Sequence, residues 1–427
     1  MQTYEQYKES SIDWIGTIPE HWECKRLGNW FEERRKKVSD KDFEPLSVTK
    51  NGIVPQLDSA AKSNDGDNRK LVIAGDFVIN SRSDRKGSSG LSYLDGSVSL
   101  INIVMKPRGI YPKFSEFLLK SNGFIEEFYR NGHGIVADLW TTRYDEMKFI
   151  FLAIPPIHEQ EAIANFLDEK TAKIDALVQT KEQQIEKLKE LRQAKIHQAV
   201  TKGLDANAPT KNSGVEWIGE IPAHWEVKKV KEICTMNGRI GFRGYSQSDL
   251  VSEGEGAITI SPSNIVENQM FFEKNTYLSW EKYFESPEIM VSNDDILIVK
   301  TGSTVGKVGI VKNLDIEATI NPQLLVIKNI KANIQFTYEY LHSNIFYDFV
   351  KSNAIGSTIP TISETKIGNL PFINPPIQEQ EQIVAYLDEV TGKIDQAIAQ
   401  KQEQITKLKE YKQSLINDVV TGKVKVC

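Results

Sequence analysis

Cysteine is scarce in this sequence. Its 427 residues hold three, Cys24, Cys234 and Cys427, too widely spaced for a CxxC-type zinc site or a dense disulfide framework. A reducing, cytoplasmic setting is therefore expected. Long apolar runs are missing too. The longest, Phe149 to Ile157, is cut by Pro155 and Pro156 and falls short of the roughly 18 residues that a membrane span takes. The first residues show no apolar signal core. There is no excess of positive charge either: 52 Lys and Arg against 58 Asp and Glu leave −6. Bulk charge thus does not announce a nucleic-acid binder. The six histidines show no HExxH spacing, and no compact Asp/Glu/Lys cluster suggests a nuclease core. What is there is ordinary for a globular chain: 40% hydrophobic and 26% charged residues, with length for about two to three domains.

The chain repeats itself. Trp14-Ile-Gly-Thr-Ile-Pro-Glu-His-Trp22 returns as Trp217-Ile-Gly-Glu-Ile-Pro-Ala-His-Trp225, and Pro155-Pro-Ile-His-Glu-Gln-Glu161 returns as Pro375-Pro-Ile-Gln-Glu-Gln-Glu381. The second match continues without a gap, through Lys173-Ile-Asp175 against Lys393-Ile-Asp395, to Val200-Thr201 against Val420-Thr421. The centres between these ends, about 25–150 and 228–370, share little by eye. Similar ends imply a shared scaffold. Dissimilar centres imply different jobs, or one job on two targets.

No proline or glycine interrupts residues 162–201. Ile163, Leu167, Ile174, Leu177, Val178, Ile185, Leu188, Leu191 and Ile196 recur at helical, partly heptad spacing, and Gly203 is a plausible stop. The second copy carries Leu387, Ile394, Ile405, Leu408 and Tyr411, with Gly392 as an interruption. Helices of about 40 residues would reach about 60 Å. A narrow apolar stripe of that length needs a partner, and the other copy, antiparallel, is the simplest one.

The centres read as mixed α/β, most simply an antiparallel sheet with packed helices. Strands are expected at Leu71–Ile73, Phe77–Ile79, Val98–Val104, Ala257–Ile260, Ile296–Val299, Val308–Val311 and Leu324–Ile327, and helices at Phe114–Tyr129 and Tyr338–Lys351. In each half a loop rich in Gly, Ser and basic residues follows an apolar strand: Asn80 to Gly90, and Lys300-Thr-Gly-Ser-Thr-Val-Gly-Lys307. Such residues contact phosphates and base edges. For any one such loop an ordinary solvated turn is the simpler reading; the matching placement in both halves is the point of interest.

Two apparent catalytic motifs do not hold. Asn374-Pro-Pro-Ile377 resembles the Asn/Asp-Pro-Pro-aromatic motif of amino-methyltransferases, but Ile377 replaces the aromatic and Ile154 replaces the polar residue in the first copy. Gly302 to Val308 is one residue short of a phosphate loop, and Val308 stands where the magnesium-binding hydroxyl belongs. His21 and His224 are expected to pack beside Trp22 and Trp225. Binding without catalysis is the reading.

The WIG-x-IP-x-HW element, the PPI-x-EQE start of a long helix and the duplicated layout resemble the specificity subunits of type I restriction-modification systems across the whole chain. Lys300–Val308 and Gly356–Ser363 are similar to segments of that family's target-recognition domains. The resemblance implies a mixed α+β chain of two globular target-recognition domains, 1–154 and 206–374. Each is followed by a long spacer helix, 155–205 and 375–427, and the helices pair as an antiparallel coiled coil with a pseudo-twofold internal repeat. It implies one half of a bipartite, asymmetric double-stranded DNA site for each domain, with the helices fixing the unread gap. Two modification subunits would bring S-adenosylmethionine and adenine-N6 methylation, and two restriction subunits would bring ATP and magnesium. This chain would hold no cofactor, no metal and no catalytic residue.

On that reading the expected DNA contacts are Arg82, Arg85, Lys86 and Ser88 in the first half and Lys300, Thr301, Ser303, Thr304 and Lys307 in the second. Lys50, Asn51, Asn264, Ser357 and Thr358 are weaker candidates. Leu167, Ile174, Ile185, Leu188, Leu387, Ile394, Ile405 and Leu408 are expected at the helix pairing or subunit interface. The alternatives are a stand-alone methyltransferase or nuclease, and a coiled-coil adaptor that binds only protein.

Overall fold

Both Pro-Pro pairs launch long helices. The computed structural model describes residues 2–58, 66–134, 140–266, 269–273 and 275–426. In it, α1 runs over Ile157–Lys202, 46 residues, and α2 over Ile377–Val420, 44 residues. Each starts immediately after its prolines, which disfavour a helical backbone in the residue before them. Each ends near a glycine in the left-handed region, Gly203 at φ +72° and Gly422 at +75°, where other residues are strained. Gly392, expected to interrupt α2, does not; helix continues on both sides of it. Neither helix is long and apolar enough to cross a membrane, nor is any other among the described residues.

The chain forms two compact units: residues 1–182 with 401–427, and residues 183–400. Each long helix contributes residues to both. In the first unit Lys412 Nζ lies 2.7 Å from Asp175, and Lys181 Nζ donates to Gln404 Oε1 at 2.6 Å. In the second, Arg192 Nε lies 3.2 Å from Asp395 Oδ1. Rising numbers on α1 meet falling numbers on α2, so the pairing is antiparallel. Asp175 and Asp395 are repeat-equivalent, as are Arg192 and Lys412, so each unit makes the same contact with the roles of the two helices exchanged.

The burial pattern selects among the stripe residues. Leu167, Ile174, Ile185, Leu387, Ile394 and Ile405 are buried, and Leu188 and Leu408 half-buried. Leu177, Leu191 and Tyr411 are exposed, contrary to their place in the expected stripe. Leu177 lies one position from buried Val178. One residue turns about 100° around a helix, which carries Leu177 off the seam. Leu191 likewise precedes Arg192, whose guanidinium takes the seam side to reach Asp395.

In the first unit a four-stranded antiparallel sheet runs in the order Ser89–Leu91, Phe77–Asn80, Asn102–Pro107, Phe31–Glu33. A three-stranded sheet joins Gly96–Val98, Arg69–Val72 and Lys37–Val38. The strand expected over Val98–Val104 is split between these sheets by a turn at Ser99–Ile101, where the Asn102 N–H donates to the Ser99 carbonyl at 3.0 Å. In the second unit the four-stranded sheet is Thr235–Gly238, Leu324–Lys328, Ile296–Val299, Val308–Ile310. Its five-stranded neighbour includes one parallel pair, Gly256–Ile260 with Ala318–Ile320, a departure from the all-antiparallel expectation. The chain between those two strands adds Tyr277–Ser279 and Met290–Val291 to the same sheet and Ile296–Val299 and Val308–Ile310 to the four-stranded one, which supplies the long crossover that parallel strands need.

The expected single helices are each two. Pro112–Leu119 and Asn122–Arg130 meet at Ser121; Ile334–His342 and Asn344–Asn353 meet at Ser343. Both serine hydroxyls donate to the carbonyl three residues back, Leu118 and Tyr340, at 2.7 Å. A serine that bonds local backbone competes with the helix ladder. Ser121-Asn122 and Ser343-Asn344 thus mark a repeat inside the otherwise dissimilar centres.

Candidate functional site

The repeated ends are tied together by carboxylate latches. Glu159 accepts the Trp22 indole N–H at 3.2 Å and lies 2.8 Å from His21 Nε2; the Tyr4 hydroxyl also donates to it. Glu379 accepts the Trp225 indole N–H at 2.8 Å and lies 2.6 Å from His224 Nε2. The next residue is a second clasp. Gln160 and Gln380 each accept a backbone N–H at 2.7 Å, from Tyr111 and Asn333, and each donates to its own proline carbonyl at 2.8 Å. The Glu-Gln pair that marks both copies is therefore architectural. So are the histidines, held by the glutamates more than by the tryptophans.

In the first unit the strand Phe77–Asn80 leads into the expected loop. Arg82, Arg85 and Lys86 are exposed. Lys86 reaches Glu126 at 2.7 Å, and Arg85 lies 3.7 Å from Asp84. Ser88 is buried, packed at the start of the returning strand and away from solvent. Lys50 and Asn51 are exposed on the hairpin turn between Leu46–Thr49 and Gly52–Pro55. A β-bridge joins Arg82 to Thr141, and another joins Thr141 to His133, so the loop is braced by a second segment later in the chain.

The second unit repeats this brace. Thr301 bridges Thr361, which bridges Ile355, and the Gly302 N–H donates to the Pro360 carbonyl at 2.9 Å. Exposed Ser357 and Thr358 are thereby brought beside the Lys300–Lys307 loop. Ser303 is exposed, and Thr301, Thr304 and Lys307 are half-buried. Lys307 Nζ donates to the Ile265 carbonyl at 3.3 Å. Two candidates have structural partners. Lys300 is mostly buried in an ion pair with Glu364 at 2.7 Å. Asn264 is buried, accepting the Ser261 N–H at 2.9 Å and donating to the Phe271 carbonyl at 2.9 Å.

The brace thus recurs in two units of unlike sequence. Residues 222–407 match the family described as the type I restriction modification DNA specificity domain. The specificity subunit of type I restriction enzyme MjaVIII from Methanocaldococcus jannaschii is 25% identical over 96% of this chain and 94% of its own length. The EcoDI specificity subunit of Escherichia coli is 21% identical over 90% and 86%. The chain is thus similar to type I restriction-modification specificity subunits, by the family model over residues 222–407 and by these relatives over nearly its whole length. The fold agrees. The HsdS subunit of Thermoanaerobacter tengcongensis matches 95% of this chain and 98% of its own at TM-score 0.52 and 18% identity. A chain from the structural work on complex assembly and conformational transition of the type I R-M system matches 95% and 99% at TM-score 0.71 and 16% identity.

Sequence reasoning missed three basic side chains that share a cleft with Arg82: Arg35, Lys70 and Arg143. They stand apart in sequence, and only the folded sheet brings them together. It also missed a polar cluster beneath Ile334–His342 in the second unit. Glu339 is buried, and burial pushes its carboxyl up. The His342 ring stacks on Tyr338 at 5.4 Å, and burial, with the Arg192 charge, pushes its pKa down to about 4 from 6.5. Among the described residues no group of three or more His, Cys, Asp or Glu side chains could hold a metal.

His342 carries a pH signature. Between pH 6.5 and 4 the unfolded chain binds its proton and the folded one does not, so stability falls as pH falls through that window. The His342→Phe variant is expected to lose about 2 kcal/mol less than the parent chain between pH 7 and pH 5. Glu339 works in the opposite sense above its unfolded pKa, in both proteins alike. Urea unfolding at the two pH values measures the difference, and equal losses would contradict the assignment.

Proposed function

We propose that this chain is the DNA-reading, non-catalytic subunit of a type I restriction-modification complex, with residues 1–154 and 206–374 as its two target-recognition domains. Each domain reads one part of a bipartite, asymmetric site in double-stranded DNA. Helices 155–205 and 375–427 set the unread gap and dock two modification subunits, which bring S-adenosylmethionine; two restriction subunits bring ATP and magnesium. The observation that carries this reading is the brace recurring in two unlike centres, Arg82 with Thr141 and Thr301 with Thr361. It holds dissimilar polar loops in equivalent places, as two different half-sites require. Weak net charge fits if the modification subunits share the phosphate contacts. Arg85 and Lys86 in the first head, and exposed Ser303, Ser357 and Thr358 with half-buried Thr304 in the second, are the side chains best placed to touch DNA.

Co-expression with the cognate modification subunits, followed by genome-wide mapping of methylated adenine, tests the proposal. A gapped two-part motif is expected. A continuous motif, or methylation that does not depend on this chain, would contradict it. An adaptor that binds only protein would assemble with the subunits and leave the genome unmarked.

A further inference from the structure

The first unit holds a cleft of about 420 Å³ lined by Arg35, Lys70, Arg82 and Arg143, with two carboxylates, Glu33 and Asp145. The pairing inside it is uneven. Glu33 is taken by Arg35 at 2.5 Å and Lys70 at 3.4 Å. Asp145 is taken by Lys148 at 2.8 Å and Arg35 at 3.4 Å. Arg82 and Arg143 are exposed, and among the described residues neither guanidinium has an acid partner. Both backbones are fixed. The Arg82 N–H donates to Asn80 Oδ1 at 3.0 Å, and the Arg143 N–H to Glu146 Oε2 at 2.7 Å. Between them stand Thr141, bridged to Arg82, and Thr142, fully buried with its hydroxyl donated to the Phe128 carbonyl.

We infer that this cleft seats the sugar-phosphate backbone of duplex DNA, with Arg82 and Arg143 as a paired phosphate clamp. The inference rests on the DNA-reading function proposed above and deepens it. Two planar guanidiniums on one concave wall suit an oxyanion, which each can meet with two parallel N–H donors. The carboxylates that would repel a phosphate are already neutralised by other cations. In a chain of net charge −6, this is a place where positive charge is left over. The corresponding loop of the second unit closes differently, since Lys300 there is spent on Glu364 at 2.7 Å. The clamp therefore belongs to the first head. It positions the duplex, and the exposed loop residues beside it are left to read sequence.

The test uses the full chain assembled with its modification subunits, carrying Arg143→Ala, Arg143→Lys or Arg82→Ala. Binding is titrated from 0.05 to 0.4 M salt on two duplexes, one with and one without the methylated motif. Each alanine variant is expected to flatten the slope of log affinity against log salt by about 0.9, and to weaken both duplexes alike, roughly eightfold near 0.1 M salt. Arg143→Lys keeps the charge and is expected to keep the slope. An unchanged slope for both alanine variants would overturn the clamp, as would a loss confined to the motif-bearing duplex, which marks base reading. If the unaltered assembly binds neither duplex, the DNA-reading proposal falls with it; if it binds and the variants match it, only the clamp falls.

Discussion

Glu159→Ala is expected to destabilise the first unit by about 2–6 kcal/mol. The carboxylate side chain is almost completely buried and accepts from two buried donors, the Trp22 indole N–H and the Tyr4 hydroxyl. Each donor left buried without an acceptor costs about 1–3 kcal/mol. His21 is half-exposed and can turn to water, so it adds little. Glu159→Gln retains a carbonyl acceptor for Trp22 and should recover much of the loss. The repeat supplies an internal control. Glu379 is more exposed and serves one buried donor, Trp225, so Glu379→Ala should cost about half as much. Tryptophan fluorescence during urea unfolding reads both, and equal losses for the two glutamates would count against the latch.

Leu387→Ala should cost the second unit about 2–5 kcal/mol, because the side chain is fully buried in its core and truncation leaves a cavity. Leu191→Ala, on a residue of the same type from the same expected stripe, should stay within about 0.5 kcal/mol, since that side chain is exposed. The contrast follows from the burial pattern alone. A large loss at Leu191 in the isolated chain would mean that the seam has been placed on the wrong helix face.

These two cases also separate what the sequence could reveal from what it could not. Duplication and helix length were legible because Pro155-Pro156 and Pro375-Pro376 fix the starts, and because uninterrupted apolar spacing needs no knowledge of tertiary partners. The seam was legible only in outline. Heptad spacing narrows the face, but residue 177 and residue 178 are both apolar, and the partner helix decides between them. The role of Glu159 was hidden because its donors are Trp22 and Tyr4, more than 130 positions away. The breaks at Ser121 and Ser343 were missed because serine is unremarkable inside a helix until its hydroxyl turns to the backbone.

The candidate site divides in the same way. A loop after an apolar strand in each half pointed to Arg82 and to the Lys300–Lys307 segment, and the structure places both at the braces. Local composition could not show that Asn264 is spent on the Phe271 carbonyl, that Ser88 is buried, or that Lys300 is paired with Glu364. Nor could it find Arg143, which reaches the cleft of Arg82 only because Thr141 bridges back to that loop.

The central claim is that two unlike heads read two separate parts of one DNA site. The measurement that bears on it most directly is the methylated-adenine map of cells expressing the modification subunits with either the parent chain or the Ser357→Ala/Thr358→Ala variant. The account predicts a two-part motif whose first part is unchanged and whose second part alone becomes degenerate. Degeneracy spread over both parts, or a motif with no unread gap, would contradict it.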